Sequence, residues 1–169
     1  MRSPSLSKAL CIFAFAATFV AIAAEDTSCS WYAGGSAAIV LPQGGSQMRR
    51  AGGALVRGGC YLNDDLALEG EVGALEDMAE MGLSALWHWQ GAAIYGDYFG
   101  YSRIDPFFTL GAVGFVGGSR GQVGPRAGAG AFYHLTDSWS LRGDASAILG
   151  LDGETEVDYA LSLGLQYSF

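Results

Sequence analysis

The last thirteen residues of the chain alternate without a break. Val157, Tyr159, Leu161, Leu163, Leu165, Tyr167 and Phe169 fall on one face, and Asp158, Ala160, Ser162, Gly164, Gln166 and Ser168 on the other. A period of two belongs to a β-strand, since helical faces repeat every 3.6 residues. One face is bulky and apolar, and the other is small and polar. The same grammar recurs upstream. Trp139, Leu141, Gly143, Ala145, Ala147 and Leu149 alternate with Ser138, Ser140, Arg142, Asp144 and Ser146. Val123, Pro125, Ala127, Ala129, Ala131 and Tyr133 alternate with Gln122, Gly124, Arg126, Gly128, Gly130 and His134. Leu83, Ala85, Trp87 and Trp89 alternate with Ser84, His88 and Gln90, and Leu66, Leu68, Val72 and Ala74 with Ala67, Glu69, Glu71 and Gly73. Three blander segments, Trp31–Leu41, Ala51–Leu62 and Phe107–Val116, have strand length.

Turn signals separate these segments at Pro42–Gln47, Asn63-Asp64, Glu76–Gly82, Gly96–Pro106, Gly117–Gly121, Thr136-Asp137 and Gly150–Thr155. Seven connections join eight strands. The expected fold is all-β: an eight-stranded antiparallel up-and-down barrel, whose even strand number places both chain ends at one rim. The composition requires closure or burial of this kind. The chain is 50% hydrophobic and only 15% charged, with Gly 26 among 169 residues, too apolar for a disordered polymer. A formal net charge of −8 argues against nucleic acid as a partner.

The N-terminal stretch reads differently. Arg2 and Lys8 precede an apolar run from Ala9 to Ala24 that ends in Ala21-Ile22-Ala23-Ala24. This is the layout of a secretory signal peptide, so residues 1–24 are expected to be a cleaved leader and 25–169 the barrel domain. Removal would leave seven cations, all Arg, against 17 acids, a net charge of −10. No later segment has 18 consecutive apolar residues, so no spanning helix is expected.

A soluble barrel would point its apolar face inward, and a membrane barrel would point it at lipid. Two patterns favour lipid. Trp31, Tyr61, Tyr95, Tyr98, Phe107, Phe108, Tyr133, Trp139, Tyr167 and Phe169 all fall at strand ends that share the rim of the chain termini. Such a ring is expected at a membrane–water interface. The less apolar face collects Arg57, Glu69, Glu71, His88, Gln90, Arg126, Arg142 and Asp144, each expected near the middle of its strand. Charges facing hydrocarbon would cost a few kcal/mol each, whereas facing inward they can pair. Gly and Ala at neighbouring inward sites would leave room for them.

The terminal Leu161, Leu163, Leu165, Tyr167 and Phe169 resemble the C-terminal signature of Gram-negative outer-membrane barrels. The segment from Ala131 to Arg142 is similar to a strand–turn–strand unit of the OmpA-like and opacity-type small barrels. The resemblance implies location in the outer membrane, contact with its lipid and lipopolysaccharide, and insertion by the barrel-assembly machinery. It does not imply peptidoglycan anchoring, since no OmpA-type periplasmic domain is expected.

Cys29 and Cys60 are symmetric about Gly44-Gly45, which makes them cross-strand neighbours in a regular hairpin, either bridged or as two free thiols. The inward charges read either as a network that fills the lumen or as a charge filter along a narrow water path. Eight strands enclose only enough space for side chains, which favours filling. His88 and His134 are the only histidines, and Ser84 lies about 13 Å from His88 along its strand, so no catalytic arrangement is expected. Glu76, Asp77 and Glu80, and likewise Asp152, Glu154 and Glu156, read as solvated acids on short outer loops. Cation bridging to lipopolysaccharide, or contact with an unidentified host or surface ligand, is the sharper reading of them. No cofactor or metal is expected. The expected role is structural support of the envelope. The alternatives are a narrow porin-like channel, surface adhesion and, last, a lipid A-modifying enzyme.

Overall fold

The computed structural model describes residues 29–43, 50–76, 78–89, 103–117, 120–150 and 157–169. The expected leader (1–24), Gln90, Tyr95, Tyr98 and the acids Asp77, Asp152, Glu154 and Glu156 lie outside them. Eight strands follow in order: β1 (Ser30–Leu41), β2 (Ala51–Tyr61), β3 (Leu66–Leu75), β4 (Met78–His88), β5 (Ile104–Gly117), β6 (Arg120–His134), β7 (Trp139–Leu149) and β8 (Val157–Ser168). Each pairs antiparallel with its sequence neighbours, and β1 pairs with β8, so the sheet is a closed barrel.

The register shows how the barrel closes. Trp31 is opposite Cys60, and the row continues through Leu68, Ala85, Leu110, Ala127, Ala147 and Tyr159. Tyr159 is opposite Leu41, ten residues along the strand on which the row began. Eight strands with that stagger tilt by about 40° and enclose a lumen just wide enough for side chains.

The two faces divide as the alternation predicts. Leu110 and Trp87 (both 67% exposed), Val56, Val72, Phe108 and Leu161, Leu163 and Leu165 point outward. Tyr32, Leu55, Arg57, Glu69, Glu71, Ser84, Phe107, Arg126, Phe132 and Arg142 are buried inside. Among the described residues, the outward aromatics at the rim of the chain ends are Trp31, Trp87, Trp89, Phe108, Tyr133, Trp139, Tyr167 and Phe169. There the Tyr167 ring packs 5.0 Å from Trp139 and 5.2 Å from Phe169. Two residues expected in this ring are not part of it. Tyr61 and Phe107 have the phase of Arg57 and Thr109, so they face the lumen, where Phe107 is fully buried.

Two turns at the same rim are held by side-chain oxygens. Asn63 Oδ1 accepts from the amides of Asp65 and Leu66, both at 2.9 Å, and Thr136 Oγ1 accepts from Trp139 N at 3.0 Å. These local bonds explain why the chain reverses at those residues. At the opposite, distal rim the β3–β4 link is shorter than its turn signal. It occupies only residues 76–77, with Glu76 at a positive φ of 48°, and β4 begins at Met78. The expected loop Glu76–Gly82 is therefore mostly strand.

Inward glycines make room for large neighbours. A Cβ on Gly59 would run into the Tyr32 ring, one on Gly130 into Phe107, and one on Gly82 into the Glu71 carboxylate. Gly58, one residue away, faces outward, and a Cβ there meets only Tyr32 O at 3.8 Å. Gly59→Val is expected to lower the free energy of unfolding by about 1–3 kcal/mol, and Gly58→Val to leave it nearly unchanged. Urea titration of tryptophan fluorescence in lipid vesicles measures both; equal effects would contradict the assignment of faces.

Candidate functional site

The lumen is the place where functional chemistry could reside, and it is built in three layers. Near the rim of the chain ends, Tyr32, Ala67, Leu86, Phe107 and Phe132 form an apolar cluster, with Tyr61 against it. Near the distal rim, Val40, Ala51, Leu55, Leu75, Val113, Phe115 and Ile148 form a second. Between them lies the ionic layer. The strands build this arrangement through their inward positions: mainly aliphatic residues, with Phe115 and the buried Asp158, at one end, charged residues in the middle and mainly aromatics at the other end.

Five strands, β2, β3, β4, β6 and β7, supply the charged groups of this layer. Arg57 Nε donates to Glu71 Oε2 at 3.0 Å, and its Nη1 donates to Ser36 Oγ and Ser162 Oγ at 3.0 Å and to Asp144 Oδ2 at 3.2 Å. Arg142 forms a two-pronged pair with Glu69, one bond measuring 3.0 Å, and its Nε donates to Asp144 at 3.1 Å. Arg126 pairs with Glu71 and donates to Ser84 Oγ at 2.8 Å. Tyr32 OH donates to Glu69 Oε2 at 3.0 Å, and Ser162 Oγ to Asp144 at 2.8 Å. Each guanidinium is thus shared by several acceptors, which offsets the penalty of taking it out of water. The layers are also joined: the Arg142 guanidinium lies 4.9 Å from the Phe107 ring centre and 5.3 Å from that of Phe132.

The structure brings Arg57, Glu69, Glu71, Arg126, Arg142 and Asp144 into one network. His88 is not part of it. It ends β4 at the rim, stacks on Phe132 at 5.7 Å and places Nδ1 2.6 Å from Asp105 Oδ2. The expectation that it sits mid-strand is corrected: the strand that carries it ends there. A second correction concerns Glu80, expected to be a solvated loop acid. It lies inside on β4, 3% exposed, with Oε1 3.6 Å from Arg126 Nη1. Its phase with Gly82 and Ser84 carried that signal, but the overlong turn hid it. Tyr32, Ser36, Glu80 and Ser162 complete the network, and only their even-numbered phase marks them in the sequence.

Ser84 is engaged by Arg126, and the buried His88 Nε2 has no hydrogen-bond partner. His134 Nδ1 is 2.8 Å from Ser140 Oγ, and no acid orients that pair among the described hydrogen bonds. No group of three metal-ligating side chains exists among the described residues.

Cys29 and Cys60 form a disulfide with Cα atoms 5.8 Å apart. They are diagonal rather than directly opposite, because the residue facing Cys60 is Trp31. The hairpin is thus centred one residue beyond the position that symmetry about Gly44-Gly45 implies. Pairs shift by two under that change, so the face is preserved.

A buried pair broken on one side leaves an uncompensated charge. Arg142→Met alone is expected to cost about 3–5 kcal/mol of stability, and the double variant with Glu69→Leu distinctly less than the sum of the two single changes. A double-mutant cycle by urea unfolding measures the coupling.

The family model described as "Outer membrane protein beta-barrel domain" matches residues 9–169. No curated protein matches the chain. The solved structures similar to it include three small barrels. The N-terminal β-barrel domain of Pseudomonas aeruginosa OprF is 16% identical at a TM-score of 0.57, covering 82% of this chain and 97% of that one. Neisserial surface protein A is 15% identical at 0.59, with coverages of 82% and 97%. Ail, the attachment invasion locus protein of Yersinia pestis, is 14% identical at 0.51, with coverages of 83% and 97%.

Proposed function

We propose that this chain, which belongs to the outer membrane protein β-barrel family and is an outer-membrane protein, serves the envelope as a shut structural element rather than as an open channel. The observation that carries this reading is the layered lumen. Two apolar clusters close its ends, and the ionic layer between them is cross-linked by groups from every strand but β5. An ion crossing it would have to pass both clusters unhydrated, and in an interior this narrow a hydrated solute has no path.

The outward surface supports the same role. Its apolar band and the aromatic ring at the rim of the chain ends suit a barrel that holds a fixed depth against lipid and lipopolysaccharide. Insertion by the barrel-assembly machinery, directed by Leu161, Leu163, Leu165, Tyr167 and Phe169, and export through a cleaved leader at 1–24 belong to this reading. At the distal rim, β3–β4 and β5–β6 are each joined by two residues. Links that short offer little surface for adhesion, which ranks below the structural role. A catalytic role ranks lower still, since Ser84 is engaged by Arg126 and no hydrogen bond orients the His134–Ser140 pair from a third group among the described residues.

Planar bilayers holding the purified protein are expected to show no discrete conductance steps. Opening both apolar layers together, with Leu55→Ala, Phe115→Ala, Phe107→Ala and Phe132→Ala, is expected to produce them. In a deletion strain, sensitivity to bulky detergents should rise and be reversed by the silent wild-type protein. Steady wild-type conductance would establish the channel reading instead.

A further inference from the structure

We propose that Glu80 carries a proton in the folded barrel, in the pH range where a carboxyl group in water is ionised, and donates it to the Glu71 carboxylate as an alkali-labile latch of the ionic layer. The charges of that layer do not balance. Among the described residues its cations are Arg57, Arg126 and Arg142, and its acids are Glu69, Glu71, Glu80 and Asp144, three against four. The apolar clusters on either side of the layer keep water from making up the difference. A buried carboxylate without a partner is neutralised rather than left charged, and of two carboxylates that share a site one keeps its proton.

The hydrogen bonds assign that proton to Glu80. Glu69 is gripped by Arg142 and the Tyr32 hydroxyl, Glu71 by Arg57 and Arg126, and Asp144 by Arg57, Arg142 and Ser162. No described hydrogen bond is donated to Glu80. The guanidinium nitrogen beside it, Arg126 Nη1, stands 3.6 Å away and is already paired with Glu71. The register brings the two carboxyl groups together. Glu71 is opposite Gly82 and Glu80 is opposite Gly73, so they are diagonal neighbours on the lumen face. Gly82 leaves the space that the Glu71 carboxylate fills, since a Cβ there would stand 2.7 Å from Glu71 Oε1, and the Glu80 carboxyl lies against that carboxylate. On the other side, β5 sets Phe115 opposite Glu80 and Val113 opposite Gly82, neither of them ionisable. The charged groups that face Glu80 are therefore Glu71, Arg126 and, behind Glu71, Arg57. Protonated, Glu80 supplies an O–H donor that Glu71 accepts. Ionised, it would set a second negative charge against Glu71 with no further cation to pair it among the described residues. The folded chain thus holds a proton that the unfolded chain releases above about pH 4.3, so rising pH removes stability until the folded chain releases it too. The inference concerns the protonation of the lumen and does not depend on whether the lumen conducts.

The full chain and its Glu80→Gln variant, whose amide can donate to Glu71 in place of the hydroxyl, are folded into phosphatidylcholine vesicles in heavy water. At about pH 6, where carboxyl groups in water are ionised, the infrared spectrum of the wild type is expected to show the carbonyl band of a protonated carboxyl group, and alkali to abolish it. Glu80→Gln should lose that band. The difference spectrum cancels any contribution of Asp158, which is also buried and has an unpartnered Oδ2. Glu71→Gln balances the layer at three cations against three acids and should lose the band as well, because Glu80 is then free to ionise beside Arg126. In urea titrations above about pH 5, the folding equilibrium constant of the wild type should fall relative to that of Glu80→Gln by up to about tenfold per pH unit. Absence of any protonated-carboxyl band from the folded wild type would overturn the proposal without recourse to a variant. So would a band that persists in either variant, or wild-type and Glu80→Gln stabilities that run parallel with pH.

Discussion

Inside a bilayer a backbone amide has no water to bond with, so a sheet must meet its own first edge. Most other features of this molecule follow from that requirement. Closure of eight strands with a ten-residue stagger fixes the tilt and thereby the bore. The bore admits side chains and little else. Everything polar that cannot face lipid must then be packed and satisfied in that narrow space. This is why three arginines share a handful of carboxylates and hydroxyls there, and why glycines stand where Tyr32, Phe107 and Glu71 need room.

Packing the charges in the middle of the bore has a functional consequence. Pairs enclosed by apolar layers are shielded from water and salt, so they act as cross-links between strands distant in sequence. Arg57 of β2 reaches groups on β1, β3, β7 and β8, and Arg126 of β6 reaches β3 and β4. The cross-links that fill the lumen also hold the seam between the first and last strands. Under the proposed reading a rigid wall and a shut interior are one property, which suits an envelope component better than a conduit.

The sequence exposes some of this readily and some of it hardly at all. Strand number and the in-or-out phase of β3, β4, β6, β7 and β8 are legible because lipid enforces a strict period of two. Leu161 and Leu163 could only face outward, and Arg142 and Asp144 only inward. Tyr61 and Phe107 were harder, because an aromatic at a strand end suits both an interfacial ring and a lumen cap, and phase alone decides. Glu80 was hidden by turn length: an acid among Glu76 and Asp77 resembles loop until the link is known to hold two residues. Contacts such as Arg142 to Glu69 join residues 73 positions apart, and only the register of the whole barrel sets them side by side.

Spin labels placed singly along residues 157–168 of β8 in lipid vesicles test the orientation of the two faces most directly. The odd-numbered positions should be relaxed by oxygen dissolved in the hydrocarbon, and the even-numbered ones shielded from both oxygen and a water-soluble nickel reagent. If instead nickel reached the face of Ser162 and Gln166 while Leu161, Leu163 and Leu165 were shielded from oxygen, greasy side chains would lie inside. The account of this protein as a membrane barrel with an ionic, occluded core would then be wrong.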